Sequence, residues 1–241
     1  MIYPYSILTK LMNLIQKGHR HTHRGIIGIE SAIVLIAFVI VAAALAFVVL
    51  NMGFSTTQKA KTAIIAAVEE AGSSLEVAGK ITAAGWVTQD SLNATNIPLK
   101  IVSGGATSNL DGNFTSIKYI SDNVEYDNIY ANGPLYFDTY VNASRAWDQA
   151  VVKGWILPAE HPYSGTNGPP TTMGIIYWTV NQNNNTILDI GEHVVLSVAY
   201  STKDKPGALE NIAFEVSTPK GSPMTVGRNV PNITTQIVDL G

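Results

Sequence analysis

The chain has 241 residues, no cysteine and a formal net charge of −3. Without cysteine there is no disulfide framework, thiolate metal site or cysteine nucleophile, and a small acidic excess argues against a nucleic-acid surface. Only 14% of the residues are charged, against about a quarter in a typical soluble domain, and much of that deficit falls in one stretch near the start.

Residues 1–25, MIYPYSILTKLMNLIQKGHRHTHRG, carry Lys10, Lys17, Arg20 and Arg24 and no acid. A basic flank of this kind stays on the cytoplasmic side of a membrane. Met12 offers a second start that would shorten this leader. His19, His21 and His23 alternate, but beside Arg20 and Arg24 they read as part of the polar flank rather than as a metal site. From Ser31 to Leu50 the chain then has no charge and no strong polar group. Roughly twenty such residues rise about 30 Å as a helix, enough to cross a bilayer core. An ordinary secretory signal would be cut after the apolar run. Here the sharper junction lies before it, at Gly25-Ile26, so that cutting leaves the helix on the mature protein.

Glu30 stands at the edge of the apolar run. A carboxylate in a helix at mid-bilayer costs about 2.5–3.5 kcal/mol on insertion scales, and less near the interface. Cutting before Ile26 would create an α-amino group four residues upstream, on the same helical face. That amine, in its own subunit or a neighbour, is a natural counter-ion for Glu30.

Beyond Asn51-Met52-Gly53 the helix formers continue. Ala60, Ala63, Ile64, Ala67, Val68 and Ala71 recur at helical spacing, which predicts a helix from about Ile26 to Val77, with Gly53 as a place for a kink. Alanine-rich faces allow close helix approach and suit a bundle contributed by many subunits. From about Gly79 the pattern changes to short β-prone runs, such as IPLKIVSGG, FTSIKYIS, GIIYWTV, HVVLSVAYS and NIAFEVSTP, punctuated by glycine, asparagine and proline. That spacing predicts an all-β sandwich. Residues 139–154 suit a short helix or turn. Residues 155–172, with Pro158, Pro162, Pro169 and Pro170, suit a long exposed loop. The expected organisation is α+β: a leader over 1–25, a long N-terminal hydrophobic helix over 26–78 and an external β-sandwich over 79–241.

Five acceptor tripeptides for N-glycosylation begin at Asn93, Asn113, Asn142, Asn184 and Asn232, all in the β region. Asp122, Glu125 and Asp127 crowd one segment that is capable of holding calcium, but they match no EF-hand loop and read as solvated turn acids. Asp189 and Glu192 read as ordinary acids of a turn entering a strand. Nucleophile elbows, HExxH, phosphate loops and dinucleotide fingerprints are absent from the sequence. His161 and His193 stand in unlike contexts. The chain is expected to be no enzyme and to need no cofactor or metal.

Arg24-Gly25 followed by Ile-Ile-Gly-Ile-Glu-Ser-Ala-Ile-Val-Leu-Ile-Ala-Phe closely resembles the processing site and helix start of archaellins, the filament subunits of the archaeal flagellum, within the wider type IV pilin superfamily. The resemblance continues through Asn51-Met52-Gly53 to AGSSLEVAGKITA. It returns in LDIGEHVVLSV, FEVSTPKGSPMTV and the segment from Arg228 to Pro231. It implies a prepilin-type (class III) leader and a membrane-bound prepilin-type aspartic peptidase that recognises Arg24-Gly25 and cuts before Ile26. It further implies assembly residues at Gly28 and Glu30, an ATP-driven assembly platform, and a helical polymer of this chain, with or without sister archaellins. Helices would lie inside and immunoglobulin-like sandwiches outside, in an extracellular filament whose precursor waits in the cytoplasmic membrane. No nucleic acid enters that scheme. Two other readings are weighed beside it: an adhesive pilin of the same superfamily, with residues 157–170 as its binding loop, and an uncleaved, membrane-anchored surface protein.

Overall fold

The structure, a computed structural model, describes residues 23–71, 75–164 and 168–241, with side chains along the first helix described from Gly28 to Val68. The leader up to residue 22, including Met12, His19 and His21, lies outside the described residues.

Helix α1, His23–Ala71, is one continuous run of 49 residues, about 73 Å at 1.5 Å per residue. It contains no proline and passes through Gly53 without interruption. Thr56 and Thr57 donate their hydroxyls to the carbonyls of Met52 and Gly53, each at 2.8 Å, and Thr62 donates to those of Gln58 and Lys59. The helix therefore satisfies these threonine hydroxyls with its own backbone. It stops short of the expected end near Val77. Gly72, Ser73 and Ser74 are poor helix formers, and Leu75–Val77 form strand β1 instead, with Leu75 buried.

The remaining strands are β2 (Thr82–Trp86), β3 (Ser91–Ile101), β4 (Ser108–Asn109), β5 (Ser116–Ser121), β6 (Glu125–Tyr126), β7 (Leu135–Thr139), β8 (Met173–Val180), β9 (Ile187–Leu188), β10 (His193–Ala199), β11 (Asn211–Ser217), β12 (Met224–Asn229) and β13 (Ile237–Asp239). One sheet runs β13-β2-β3-β10-β8-β7, and β1 also pairs with β3. The second runs β12-β11-β5-β6, and β4 with β9 forms a separate ribbon. The eleven-residue β3 carries β2 and β1 in succession along one edge: Thr82 lies opposite Asn96, and Leu75 opposite Ile101. Its other edge pairs with β10 over seven residues.

Strand alternation sorts the side chains. Ile97, Leu99, Leu196, Val198, Ile176 and Trp178 of the large sheet join Ile117, Tyr119, Phe214, Val216 and Val226 of the small one in a single core. Tyr119 stacks on Phe214 with ring centroids 5.3 Å apart and tilts against Tyr200 at 5.5 Å. That core makes the expected sandwich.

The large sheet is also covered on its outer face. Helix α2, Ala143–Val152, lies between β7 and β8, which are parallel, so the two strands are joined by a helical crossover of the kind parallel pairing requires. Ala143, Ala146, Trp147 and Ala150, at helical spacing, form the buried face of α2, and they share a second core with Ile175, Tyr177 and Ala199. The Asn142 side chain caps the helix by accepting from the Arg145 N–H at 2.9 Å. At the other end, Gly154 at φ +73° accepts the left-handed turn, with Trp155 N–H to Ala150 and Gly154 N–H to Val151 closing a Schellman motif. With both faces buried, β8 reads as the continuous run GIIYW rather than an alternating one.

Among its described residues, the segment 157–170 is only partly the exposed loop expected: Leu157, Pro158, Ala159, Ser164 and Pro170 are exposed. Pro158–Glu160 make one 3-10 turn, and His161, Pro162 and Pro169 are buried. His161 Nε2 lies 3.2 Å from the Ser144 carbonyl, while Nδ1 accepts from the Tyr163 and Ser164 N–H groups at 3.2 and 3.1 Å. Those partners fix the neutral Nε2–H tautomer and strap the segment to α2.

Gly85 marks the tightest approach between β2 and the C-terminal segment: a Cβ there would sit 2.6 Å from Ile233 Cγ2 and 2.7 Å from the Thr235 carbonyl oxygen. Gly85→Ala is expected to destabilise the β-domain by about 1–3 kcal/mol. The check is urea unfolding, where the midpoint should fall at unchanged slope; an unmoved midpoint would contradict the packing.

Candidate functional site

The unusual surface of this chain is α1. Its most apolar 18-residue window has a mean hydropathy of 3.4 and is wholly unburied. Phe38 is 74% exposed, Val49 69%, Val34 68% and Phe47 66%. A soluble surface helix keeps a polar side. Here apolar residues face every direction from Ile33 through Leu50. No catalytic geometry explains such a surface; it needs a covering of lipid or of other helices.

Arg24, Gly25 and Ile26 lie in the first turn of α1, and their side chains fall outside the described ones. The first four N–H groups of a helix have no acceptor within it, so the Gly25-Ile26 bond sits where the fewest hydrogen bonds oppose unwinding. Gly28 and Glu30 lie one turn on. A Cβ at Gly28 would meet nothing within 4 Å, and the same holds for Gly53, so nothing around either glycine within the chain requires it. Glu30 is exposed.

The β-domain supplies no competing reactive centre among its described residues. Both His161 nitrogens are occupied as above, with the Asp148 carboxylate 3.5 Å from Nε2. Glu192, expected to be an ordinary turn acid, is buried and accepts three N–H groups: Gln182 at 2.7 Å, Asp189 at 3.1 Å and the Trp178 indole at 3.3 Å. It is a turn clamp. Glu125 and Asp127 are ion-paired with Lys118, and the hydrogen bond that Lys118 donates to Glu125 holds the lysine above its ordinary pKa. Asp122 accepts from the Asn211 N–H at 3.0 Å. Among the described residues no cluster suited to a metal ion occurs.

The five sequons differ in access. Asn93 lies inside β3, its side-chain amide oxygen Oδ1 accepts from Lys205 Nζ at 2.7 Å, and the hydroxyl of Thr95 is buried against Tyr200 at 2.7 Å. Asn113 is exposed in a turn, but Thr115 is buried and donates to the Asn109 carbonyl at 2.6 Å. Asn142 is exposed as the cap of α2, with Ser144 half-buried. Asn184 is exposed, at φ +53°, and Thr186 is half-buried. Asn232 and Thr234 are both exposed on an irregular segment.

Comparison with known proteins bears on α1 and the domain together. A model of archaeal-type flagellin matches residues 25–228. The chain is 36% identical over 209 residues to probable flagellin 1 of Aeropyrum pernix, covering 86% of this chain and 92% of that one. It is also 36% identical over 115 residues to probable flagellin 1 of Archaeoglobus fulgidus, covering 43% of this chain and 57% of that one. In fold it is similar to the crystal structure of archaeal flagellin FlaB1 from Methanocaldococcus jannaschii, with a TM-score of 0.52 at 14% identity over 69% of this chain and 95% of that one.

If glycan is attached to the folded domain, Asn232 is the expected first acceptor and Asn93 is expected to stay bare. Peptide mass spectrometry of protein taken from the cell surface checks this; a modified Asn93 beside an unmodified Asn232 would contradict it.

Proposed function

The chain belongs to the archaeal-type flagellin family, and from that premise we propose that it is made as a membrane-held precursor, cut between Gly25 and Ile26, and polymerised through α1. Its role is that of a structural subunit of the archaellum filament, which lies outside the cell. The observation that carries the assembly scheme is the all-round apolar surface of α1. In the precursor, lipid covers it; in the filament, the same helix from other copies of the chain does. Moving such a helix from lipid to protein yields little hydrophobic gain, so close packing and polar pairing decide assembly. Gly28, whose missing side chain nothing in this chain needs, lets a neighbouring helix approach. Glu30 pairs with the new α-amino group of Ile26 in its own subunit or a neighbour.

The partners in this scheme are a prepilin-type peptidase, an assembly platform with its ATPase, and further copies of the chain or of sister archaellins. Swimming follows from rotation of the finished filament, while the subunit itself does no chemistry. The adhesive alternative keeps less of its proposed loop than the sequence offered, since His161, Pro162 and Pro169 are buried while Leu157, Pro158, Ala159, Ser164 and Pro170 are exposed.

Cells lacking the chain should lose filaments and swimming and regain both with the intact gene; swimming retained with attachment lost would favour the pilin. Gly25→Phe should leave precursor in the membrane, read as the unshortened chain on a gel, and normal filaments from this variant would sink the cleavage site. Glu30→Gln should be cut normally yet yield filaments reduced by about tenfold, the loss of about one charge-assisted contact. An unchanged yield would argue against the pairing.

A further inference from the structure

Between Ser31 and Val68 the sequence holds only two charges, Lys59 and Lys61, and both are exposed on α1. Glu30 closes the same stretch at its start. Among the described residues, no ion pair involves Glu30 or Lys59. At 3.6 residues per turn, the 29 positions from Glu30 to Lys59 bring the lysine back to within about 20° of the glutamate, whereas Lys61 falls about 140° away. Val34, Ala37, Val41, Val48 and Met52 lie along the strip between them, and all are exposed. One face of α1 thus carries an acid at one end, a base at the other and an apolar strip in between. The two charges are about 43 Å apart along the helix, so they cannot meet within one copy.

We infer that Glu30 of one copy pairs with Lys59 of another, displaced by about 29 residues along a parallel α1, and that this pair sets the helix register in the filament. The inference rests on the filament reading. An unstaggered parallel pair would set Glu30 against Glu30 and Lys59 against Lys59, repelling at both ends. An antiparallel pair would match both charges, but every copy enters the membrane with its basic leader on the same side, which excludes it. The staggered contact is heterologous: each copy keeps a free acid at one end and a free base at the other, so the contact does not close and growth continues. It also gives a partner to a lysine that would otherwise be buried uncompensated among apolar helices. The Glu30 carboxylate has two oxygens, so the Ile26 amine and Lys59 can share it.

The test uses the full chain in its own host. Glu30→Lys alone and Lys59→Glu alone are each expected to reduce filament yield by about tenfold or more, while the double exchange restores it to within about threefold. Glu30→Lys with Lys61→Glu should not be restored. A full yield from Lys59→Glu overturns the inference, as does a double exchange no better than the single changes in chains that have lost their leader. Because Glu30→Lys reverses a charge only a few residues from the proposed cut, a second pair gives an independent answer. The chain has no cysteine, so Val34→Cys with Ala63→Cys, which have the same 29-residue offset, report the register directly. Oxidised filaments should give a ladder of covalent oligomers, since a disulfide needs Cα atoms within about 7 Å. Filaments that stay monomeric after oxidation overturn the register while leaving the filament reading intact. Absence of filaments from the unaltered chain would instead sink the filament reading.

Discussion

Successive residues of an α-helix point about 100° apart, so Ile33, Val34, Leu35 and Ile36 together leave no side of α1 polar. All four are exposed. At roughly 25 cal/mol per Å² of apolar surface, a helix of this kind cannot persist uncovered in water. Everything else about the chain follows from how that surface is covered. In the scheme proposed above, a basic leader fixes its orientation in lipid, a cut placed before the helix rather than after it keeps the helix on the mature subunit, and polymerisation replaces lipid with identical neighbours. The threonines after Gly53 fit the same constraint, because hydroxyls returned to their own backbone ask nothing of a dry neighbour.

The β-domain is built to the opposite rule. Its large sheet is covered on one face by the small sheet and on the other by α2, and its buried polar groups are paired at the points that matter. Trp147 donates to Ser197 at 2.8 Å, Ser197 and Tyr163 both donate to Asn96, and Trp178 donates to Glu192. β13 at the sheet edge is tied to the segment before β2 by the Lys80–Asp239 pair, which is exposed and holds the Asp239 carboxyl below its ordinary pKa. A depressed carboxylate pKa lends stability above the unfolded value and loses it as pH falls through the folded one. Such an exposed pair is a small term, and the buried network carries the domain.

Much of this was legible in the sequence, and the parts that were not share a cause. The helix and most β runs are local signals of composition and period, and apart from the end of the helix they read correctly. Non-local pairing left weaker traces. Leu75–Val77 follows a long helical pattern and reads as its continuation, yet it pairs with residues two dozen positions later. The start of β3, Ser91-Leu92-Asn93-Ala94-Thr95, lies outside the β-prone runs picked from the sequence, and Thr95 bonds Tyr200 inside the core. The β7-α2-β8 crossover hides in a sequence that otherwise reads as antiparallel sandwich, although Ala143, Ala146, Trp147 and Ala150 did carry a helical period. The four prolines of the 158–170 segment signalled irregular backbone correctly but said nothing about burial, which His161 and its partners decide. Glu192 was legible as an acid at a turn; that three N–H groups converge on it was not.

A side-chain-resolution reconstruction of filaments taken from cells expressing this chain is the most direct test. It should show Ile33 to Phe54 of every copy covered on all sides by α1 helices of other copies, with the β-domains outside. Filaments held together by the β-domains, with α1 missing or facing solvent, would contradict it.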